Sequence, residues 1–258
     1  MTVLECTPAG QLGAAGSGGR DPGIWALTLS DPGWPEWRPG QFAMVRPVAW
    51  GLELTWARPF SIAWAGPEGL RLLFQVVGRG TARLAGLRPG DAVTIWGPLG
   101  NGFAVEAGTE TLLLAGGMGI APFPGYARRH PTPEKLSALF AHRLPLELYP
   151  QAELAGLCPC ETRLESGPQD LPGIIQALQD RVAAMPRDGL VLACGPTPFM
   201  RTVRTAALAA GVRCQVSLEN RMACGVGACL GCVVQRPSGL PSQTCTAGPV
   251  FWADEIEL

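Results

Sequence analysis

Only two histidines, His130 and His142, occur in 258 residues, so the chain holds little of the commonest acid–base and metal-binding side chain. With no partner spacing around them, both are read as ordinary surface or core residues. The sequence also lacks a run of about 18 apolar residues, the length a membrane helix needs. Its N-terminus shows no basic segment ahead of an apolar core, so neither a membrane span nor a signal peptide is expected. Charge of one sign is missing too. Twenty Lys and Arg stand against 21 Asp and Glu, a formal net charge of −1, which favours neither nucleic acid nor an anionic membrane as partner. No internal repeat is present.

Glycine (34) and proline (25) are abundant, while 47% of the residues are hydrophobic. That apolar fraction is globular, so the two residue types are read as turns in a β-rich protein large enough for two or three compact domains. Nine cysteines are an odd count, and the five outside the closely spaced set near the C-terminus show no framework spacing, which points to a reducing cytoplasm. Cys158-Pro-Cys160 invites a metal or redox reading, but thiols at adjacent alternating positions do not easily bridge each other.

The stretch around which the chain is organised is Cys224-Gly-Val-Gly-Ala-Cys229-Leu-Gly-Cys232, followed by Cys245. The spacing C-x4-C-x2-C…C is that of plant-type [2Fe–2S] centres. Gly225, Gly227 and Gly231 let the backbone bend so that thiolates converge without side-chain obstruction, and Cys245 is expected to close the cage from a neighbouring hairpin. Zinc or disulfides are the competing uses of four cysteines, although zinc sites usually space C-x2–4-C pairs farther apart.

Residues 1–103 read as short strands, Ile24–Ser30, Gln41–Pro47, Ser61–Trp64, Leu70–Val77 and Asp91–Trp96, separated by Pro-Gly turns as in an antiparallel barrel. Gln11–Gly19 reads as a mobile loop. Over 104–213 the pattern changes to a parallel-sheet α/β domain: Thr111–Ala115 is an apolar strand ending in Gly116-Gly-Met-Gly-Ile-Ala-Pro122. Leu136–Ala141, Leu144–Tyr149, Gly173–Ala184, Gly189–Ala193 and Pro198–Ala210 then alternate strand-like and helix-like segments. The remaining 214–258 carry the cysteines and are too few to bury a core alone.

Three further constellations carry chemistry. Arg58-Pro-Phe-Ser61 opens a strand, where an arginine suits a pyrophosphate and a hydroxyl suits a flavin edge; an ordinary edge strand explains the tetrapeptide equally. Gly78-Arg-Gly-Thr81 leaves room for backbone amides to approach phosphate. Gly116–Pro122 alone is also a plain strand–helix turn, but Ala193-Cys194-Gly-Pro196 ends a second strand of the same domain. Both loops then lie at the carboxyl edge of the sheet, where they frame a nicotinamide. Cys194 equally suits a small buried residue.

Taken in order, Pro39-Gly-Gln-Phe42, Arg58-Pro-Phe-Ser-Ile62, Val77-Gly-Arg-Gly-Thr81, Gly97-Pro-Leu-Gly-Asn-Gly-Phe103, Gly116–Pro122, Ala193-Cys-Gly-Pro196, Ser217-Leu-Glu-Asn-Arg-Met-Ala-Cys-Gly225 and Cys245 with Gly-Pro-Val-Phe251 carry a resemblance over nearly the whole chain. The sequence resembles the ferredoxin–NAD(P) reductase superfamily and, within it, the iron–sulfur electron-transfer subunits of NAD-dependent dihydroorotate dehydrogenase. The resemblance implies a FAD-binding barrel over 1–103, an NAD(P)-binding α/β domain over 104–213 and a [2Fe–2S] domain over 214–258. By position, Arg58, Pro59, Phe60 and Ser61 contact the flavin and its pyrophosphate. Leu73, Phe74 and Gln75 belong to the next strand of that site, and Gly80 and Thr81 to the phosphates. Gly117, Gly119, Cys194, Gly195 and Pro196 receive the nicotinamide nucleotide, and Cys224, Cys229, Cys232 and Cys245 hold the cluster. No side chain is assigned as general acid or base. The implied activity is electron transfer between NAD(H), as co-substrate, and an FMN-containing dihydroorotate dehydrogenase catalytic subunit through FAD and the cluster, in a cytoplasmic heterotetramer of two such pairs serving pyrimidine synthesis. Similar subunits serve ferredoxin–NADP oxidoreductases, sulfide dehydrogenases and hydrogenases, and a redox-sensing module without nucleotide turnover is the rival from another class.

Some positions depart from that pattern. Asn220 replaces a usual glutamate, and Thr246-Ala247 precede Gly248 where a Lys-Asp pair is common. Between Phe123 and Gly173, Glu161-Thr-Arg-Leu-Glu-Ser-Gly167 stands where an Asp-Asp-Gly-Ser/Thr-x-Gly run is usual, leaving the choice of dinucleotide open.

Overall fold

The computed structural model describes residues 1–9 and 23–258; the expected loop Gln11–Gly19 lies outside the described residues. The first half forms strands β1 (Val3–Pro8), β2 (Ile24–Leu29), β3 (Phe42–Pro47), β4 (Arg58–Gly66) and β5 (Gly69–Gln75), a short helix α1 (Arg79–Leu84), and β6 (Val93–Leu99). The antiparallel sheet runs β1-β2-β5-β4-β3-β6. It closes on itself where Val3 N donates to Asp91 O and Val93 N to Met1 O, both at 2.9 Å. Closure leaves no open edge, which suits a sheet with this many tight turns. At the β4–β5 turn Gly69 has φ +123°, and a Cβ there would stand 2.2 Å from Leu29 O of β2, so only glycine fits. Two elements escaped the sequence pattern: β1, and α1, which begins inside Gly78-Arg-Gly-Thr81.

Strand alternation divides the barrel's apolar residues between two cores. Leu70, Leu72 and Phe74 of β5 point into the barrel with Leu27, Leu29, Val45 and Ile62. Leu73, with Ile24, Ala26 and Ala63, points outward into the core of the second domain.

That domain holds β7 (Thr111–Gly116), α2 (Phe123–Arg129), β8 (Leu136–His142), α3 (Gln151–Ala155), β9 (Cys160–Leu164), α4 (Leu171–Ala183), β10 (Leu190–Cys194), α5 (Thr197–Ala210) and β11 (Arg213–Ser217). After it come β12 (Val233–Val234), β13 (Ser242–Gln243), α6 (Thr244–Ala247) and β14 (Val250–Trp252). The second sheet runs β14-β11-β10-β7-β8-β9, parallel except for β14. Its central strands β7 and β10 are buried throughout, as continuous apolar runs covered on both faces must be. Leu112, Leu114, Val191 and Ala193 face α4 and α5, while Leu113, Ala115, Leu192 and Cys194 face α2 and the barrel. Helix α4 buries Ile174, Leu178 and Val182, spaced i, i+4, i+8, as an amphipathic helix does.

The expected segment Leu144–Tyr149 is a loop with one tight turn between Pro145 and Pro150, and β9 stands in the stretch that had no strand expectation. Residues on both sides of 213 build the second sheet: β11 starts at Arg213, and β14 adds Phe251 to the core beneath α4 and α5. The cysteine-bearing tail thus takes its stability from its neighbours. Its thiols Cys232 and Cys245 are buried against Phe42, Met44 and Ala57 of the barrel. Phe103, Phe123 and Tyr126 seal barrel to α/β sheet, the two phenylalanines stacked at 5.5 Å and Tyr126 Oη donating to Ala104 O at 2.8 Å. Each such ring is worth about 1.5–3 kcal/mol of burial, enough to fix the two sheets against each other.

Candidate functional site

A cleft of about 790 Å³ opens between barrel and α/β sheet. The barrel side is lined by Pro59, Phe60 and Ser61 from the start of β4, by Leu73, Phe74 and Gln75 from the end of β5, and by Thr81. The facing wall carries Gly117, Cys194 and Pro196. Strand β7 has β8 on one side and β10 on the other, so the order of successive strands reverses there and a crevice opens between the loops after β7 and β10. Ten of the expected flavin and nucleotide residues therefore line one cavity.

The other four stand behind the lining. Arg58 lies over the Trp50 ring at 5.5 Å and donates through Nη1 to Trp56 O at 2.6 Å. A Cβ on Gly80 would come within 2.9 Å of Arg58 Nε, so the glycine lets the guanidinium cross the start of α1. The Thr81 hydroxyl accepts from Val77 N (3.0 Å) and Gly78 N (3.2 Å) and donates to Gly78 O, so it shapes this turn from within. Gly119 and Gly195 fasten the two switch loops together. A Cβ on Gly119 would sit 2.0 Å from Cys194 O, and one on Gly195 would sit 3.0 Å from Gly116 Cα. Burial pushes the Cys194 thiol up to about 12, so it faces the cleft uncharged.

Beside the cleft lies the thiol loop. Cys224 Sγ accepts from Val226 N at 3.5 Å and Cys229 N at 3.4 Å, which pulls its pKa down to about 6. Gly227 N donates to Cys245 Sγ at 3.2 Å, yet burial and the adjoining Cys232 push that thiol up to about 11. Among the described residues no three His, Cys, Asp or Glu side chains converge as around a single ion. The thiols stand in two neighbouring pairs, Cys224 with Cys229 and Cys232 with Cys245. Two pairs of thiolate donors, with amides aimed at the sulfurs, fit a two-iron centre in which each iron takes two cysteines. Cys245 arrives on α6, just past the β12–β13 hairpin, and Gln243 Nε2 ties that hairpin to Gly227 O at 2.9 Å. Of the departing positions, Asn220 donates to Thr244 Oγ1 at 3.3 Å, and Thr246 Oγ1 donates to Gln243 Oε1 at 3.1 Å, so both brace α6.

Sequence reasoning passed over Arg143, Glu165 and Glu219, which also line the cleft. Arg143 follows the apolar strand β8, a signal that could have marked it, whereas Glu165 follows β9, which has no apolar pattern. Burial raises the Glu219 carboxyl above its ordinary value. Cys158 and Cys160 lie away from the cleft at the start of β9; all nine thiols are free, and burial pushes Cys158 up to about 11. His130 and His142 are buried, His130 tilted by 36° against Tyr126 and His142 stacked on Phe140.

A dihydroorotate dehydrogenase B electron transfer subunit from Caldanaerobacter subterraneus subsp. tengcongensis is 34% identical over 229 residues, 86% of this chain and 90% of that one. Its counterpart from Clostridium acetobutylicum is 33% identical over 237 residues, 92% of each chain. The chain belongs to the dihydroorotate dehydrogenase B electron transfer subunit family. Residues 219–257 match the model of the iron–sulfur cluster binding domain of dihydroorotate dehydrogenase B, the segment that presents the paired thiols. The family fold is seen in a solved NADH-dependent reduced ferredoxin-NADP oxidoreductase, with a TM-score of 0.80, 24% identity, and coverage of 99% of this chain and 89% of that one. A ferredoxin NADP+ reductase from Neisseria gonorrhoeae, solved with bound FAD and NADP, aligns over 81% of this chain and 90% of that one, with a TM-score of 0.59 and 18% identity. As the family name states, such a subunit works with a catalytic partner. Among the described residues no helix is long and apolar enough to cross a membrane.

Proposed function

We propose that the chain passes electrons between a dihydroorotate-oxidising catalytic subunit and NAD+, with FAD held in the cleft and a [2Fe–2S] cluster held by Cys224, Cys229, Cys232 and Cys245. FAD supplies hydride exchange with the nicotinamide, and the cluster supplies transfer of single electrons. The observation that carries this reading is a shared wall. Phe42 and Met222 line the cleft and also belong to the apolar group around Cys232 and Cys245, so the two sites are one side-chain layer apart.

The chain's own work is positional. Pro59, Phe60 and Ser61 with Leu73, Phe74 and Gln75 offer an apolar, ring-sized wall with polar ends on Ser61 and Gln75. Arg58, braced by Trp50 and laid across Gly80, supplies the positive charge for a pyrophosphate, while Thr81 shapes the turn against which the phosphates rest. Gly117, open where a Cβ would project, leaves the facing wall clear for a nicotinamide beside Cys194 and Pro196, and Gly119 and Gly195 hold that wall in place. The buried faces exclude water where hydride moves. Around the thiols, Val226, Leu230 and Leu240 are more than half exposed, and Leu230 is held at φ +56°. An exposed apolar rim beside the cluster suits a protein partner. In our reading that partner is an FMN-containing subunit, the assembly is two such pairs, and the compartment is the cytoplasm, which suits nine free thiols.

The test begins with the visible spectrum of anaerobically purified chain. Flavin and iron–sulfur bands that bleach with NADH, and NADH formation from dihydroorotate only after the catalytic subunit is added, are the expected results. Bands indifferent to NADH would favour a sensing module, and a colourless zinc protein would overturn the proposal.

A further inference from the structure

The far end of the cleft has a charge pattern of its own. Among the described residues its lining carries three charged side chains: Arg143, Glu165 and Glu219. Arg143 directly follows β8 and Glu165 directly follows β9, and Glu165 N donates to His142 O at 2.8 Å, extending the strand pairing by one step. Both residues thus sit at the carboxyl edge of the parallel sheet, Arg143 one strand spacing and Glu165 two, or about 5 and about 10 Å, from β7. Arg143 Nη2 donates to Glu165 Oε1 at 2.6 Å. The pair is asymmetric: the Glu165 side chain is 19% exposed and that of Arg143 73%. The carboxylate is the fixed member and the guanidinium comes to it from solvent. Leu144, Tyr149, Leu171 and Ile175 complete this end and bring no charge.

A nicotinamide dinucleotide whose reactive ring faces the barrel through the β7 and β10 loops must lay its adenosine half along the sheet edge. That path ends at β8 and β9. A ribose 2′-hydroxyl can donate to a fixed carboxylate, whereas a 2′-phosphate brings like charge to it. Among the described residues Arg143 carries the one guanidinium that lines the cleft, and it is already occupied by Glu165.

We propose that Glu165, by holding Arg143 and presenting its own carboxylate, forms the adenosine-ribose end of the cleft and selects NAD(H) over 2′-phosphorylated dinucleotides. The inference rests on the reading of the cleft as a dinucleotide site and adds the residues that set the choice. Glu165 lies inside the stretch that departs from the usual Asp-Asp-Gly-Ser/Thr-x-Gly run, so this stretch still brings a carboxylate to the cleft.

The experiment uses the flavin- and cluster-loaded chain and two redox-inert probes, ADP-ribose and 2′-phospho-ADP-ribose, titrated by calorimetry, alongside flavin bleaching by NADH and NADPH. The wild type is expected to bind ADP-ribose roughly 100-fold more tightly than its 2′-phosphorylated form, with the same order for the two reductants. E165Q, checked for intact flavin and cluster bands, is expected to narrow that ratio at least about 10-fold, chiefly by gaining affinity for the 2′-phosphate, because Arg143 is released. R143A/E165Q is expected to lose that gain. Equal binding of the two probes by wild type, or an unchanged ratio in E165Q, with NADH bleaching intact, overturns the inference and leaves the dinucleotide reading standing. Binding of neither probe together with no bleaching by NADH overturns both.

Discussion

Asn101 is the clasp between the barrel and the cysteine-bearing arm. Its backbone N–H donates to Gly248 O at 2.7 Å. Its side chain donates to Ala247 O at 3.1 Å and Val250 O at 2.8 Å and accepts from Val250 N at 3.0 Å. N101A leaves two carbonyls and one amide without this partner at the entry to β14. Each such bond is worth about 1 kcal/mol net, and the Ala247 bond is open to water and counts little, so the expected cost is about 2 kcal/mol. That is roughly a 30-fold rise in the population of the opened arm. Cys245 precedes this clasp on α6, so release of iron to a chelator should accelerate by a similar factor when it proceeds through opening. N101D keeps the acceptor for Val250 N but turns a carboxylate toward two carbonyls, and should cost at least as much. The assays are the denaturant midpoint and the decay of the visible cluster band under chelation, with flavin retention as the control. A stability change below about 0.5 kcal/mol and an unaltered rate of cluster loss would refute the clasp.

Two other outcomes are expected. In G119A the new Cβ meets Cys194 O at 2.0 Å, a backbone atom that cannot swing aside, so the turn after β7 should lift off β10 at a cost of about 1–3 kcal/mol; ADP-ribose binding should weaken while the cluster bands persist. His130 is buried, its Nε2 has no partner among the described residues, and burial holds its pKa below the ordinary value against the pull of Glu134. The unfolded chain therefore binds the proton first, and the stability His130 contributes is complete above its unfolded pKa and lost as pH falls toward the depressed folded value. Thermal melts of wild type should drop between about pH 7.5 and 5.5, and H130N should show a smaller drop; an equal drop would remove His130 as the cause.

What was legible in the sequence was what chemistry or burial fixes locally. The proposed ligation by four thiolates calls for Cys224, Cys229 and Cys232 at close spacing, and β7 and β10, covered on both faces, must be continuous apolar runs. Strand β9 was illegible because it is an edge: Cys160–Leu164 pairs on one side alone and leaves Arg163 and Leu164 exposed, so no alternation announces it. Helix α1 was hidden by Gly80, which is there to admit Arg58 and argues locally against a helix. The Arg143–Glu165 pair was beyond reach for another reason. Its members follow different strands, and the β8–β9 pairing brings them together.

Strand β3 shows how the two sites are tied to one register. Ala43 and Val45 point into the barrel core, and Phe42 and Met44 point the other way, toward the thiol loop. A Cβ on Gly225 would reach Met44 Cγ at 2.6 Å, so the loop rests directly on that face, and Trp96 of β6 donates to Cys224 O at 3.0 Å. The β3–β6 pairing shifts register between Phe42 and Met44, so the strand carrying both residues is irregular at the point where cleft and thiols meet. A one-residue slip of β3 would turn Phe42 and Met44 into the barrel and Ala43 and Val45 outward, filling the cleft's shared wall with residues too small to seat the loop. The barrel core packed behind the cleft is therefore what fixes the spacing between the two sites.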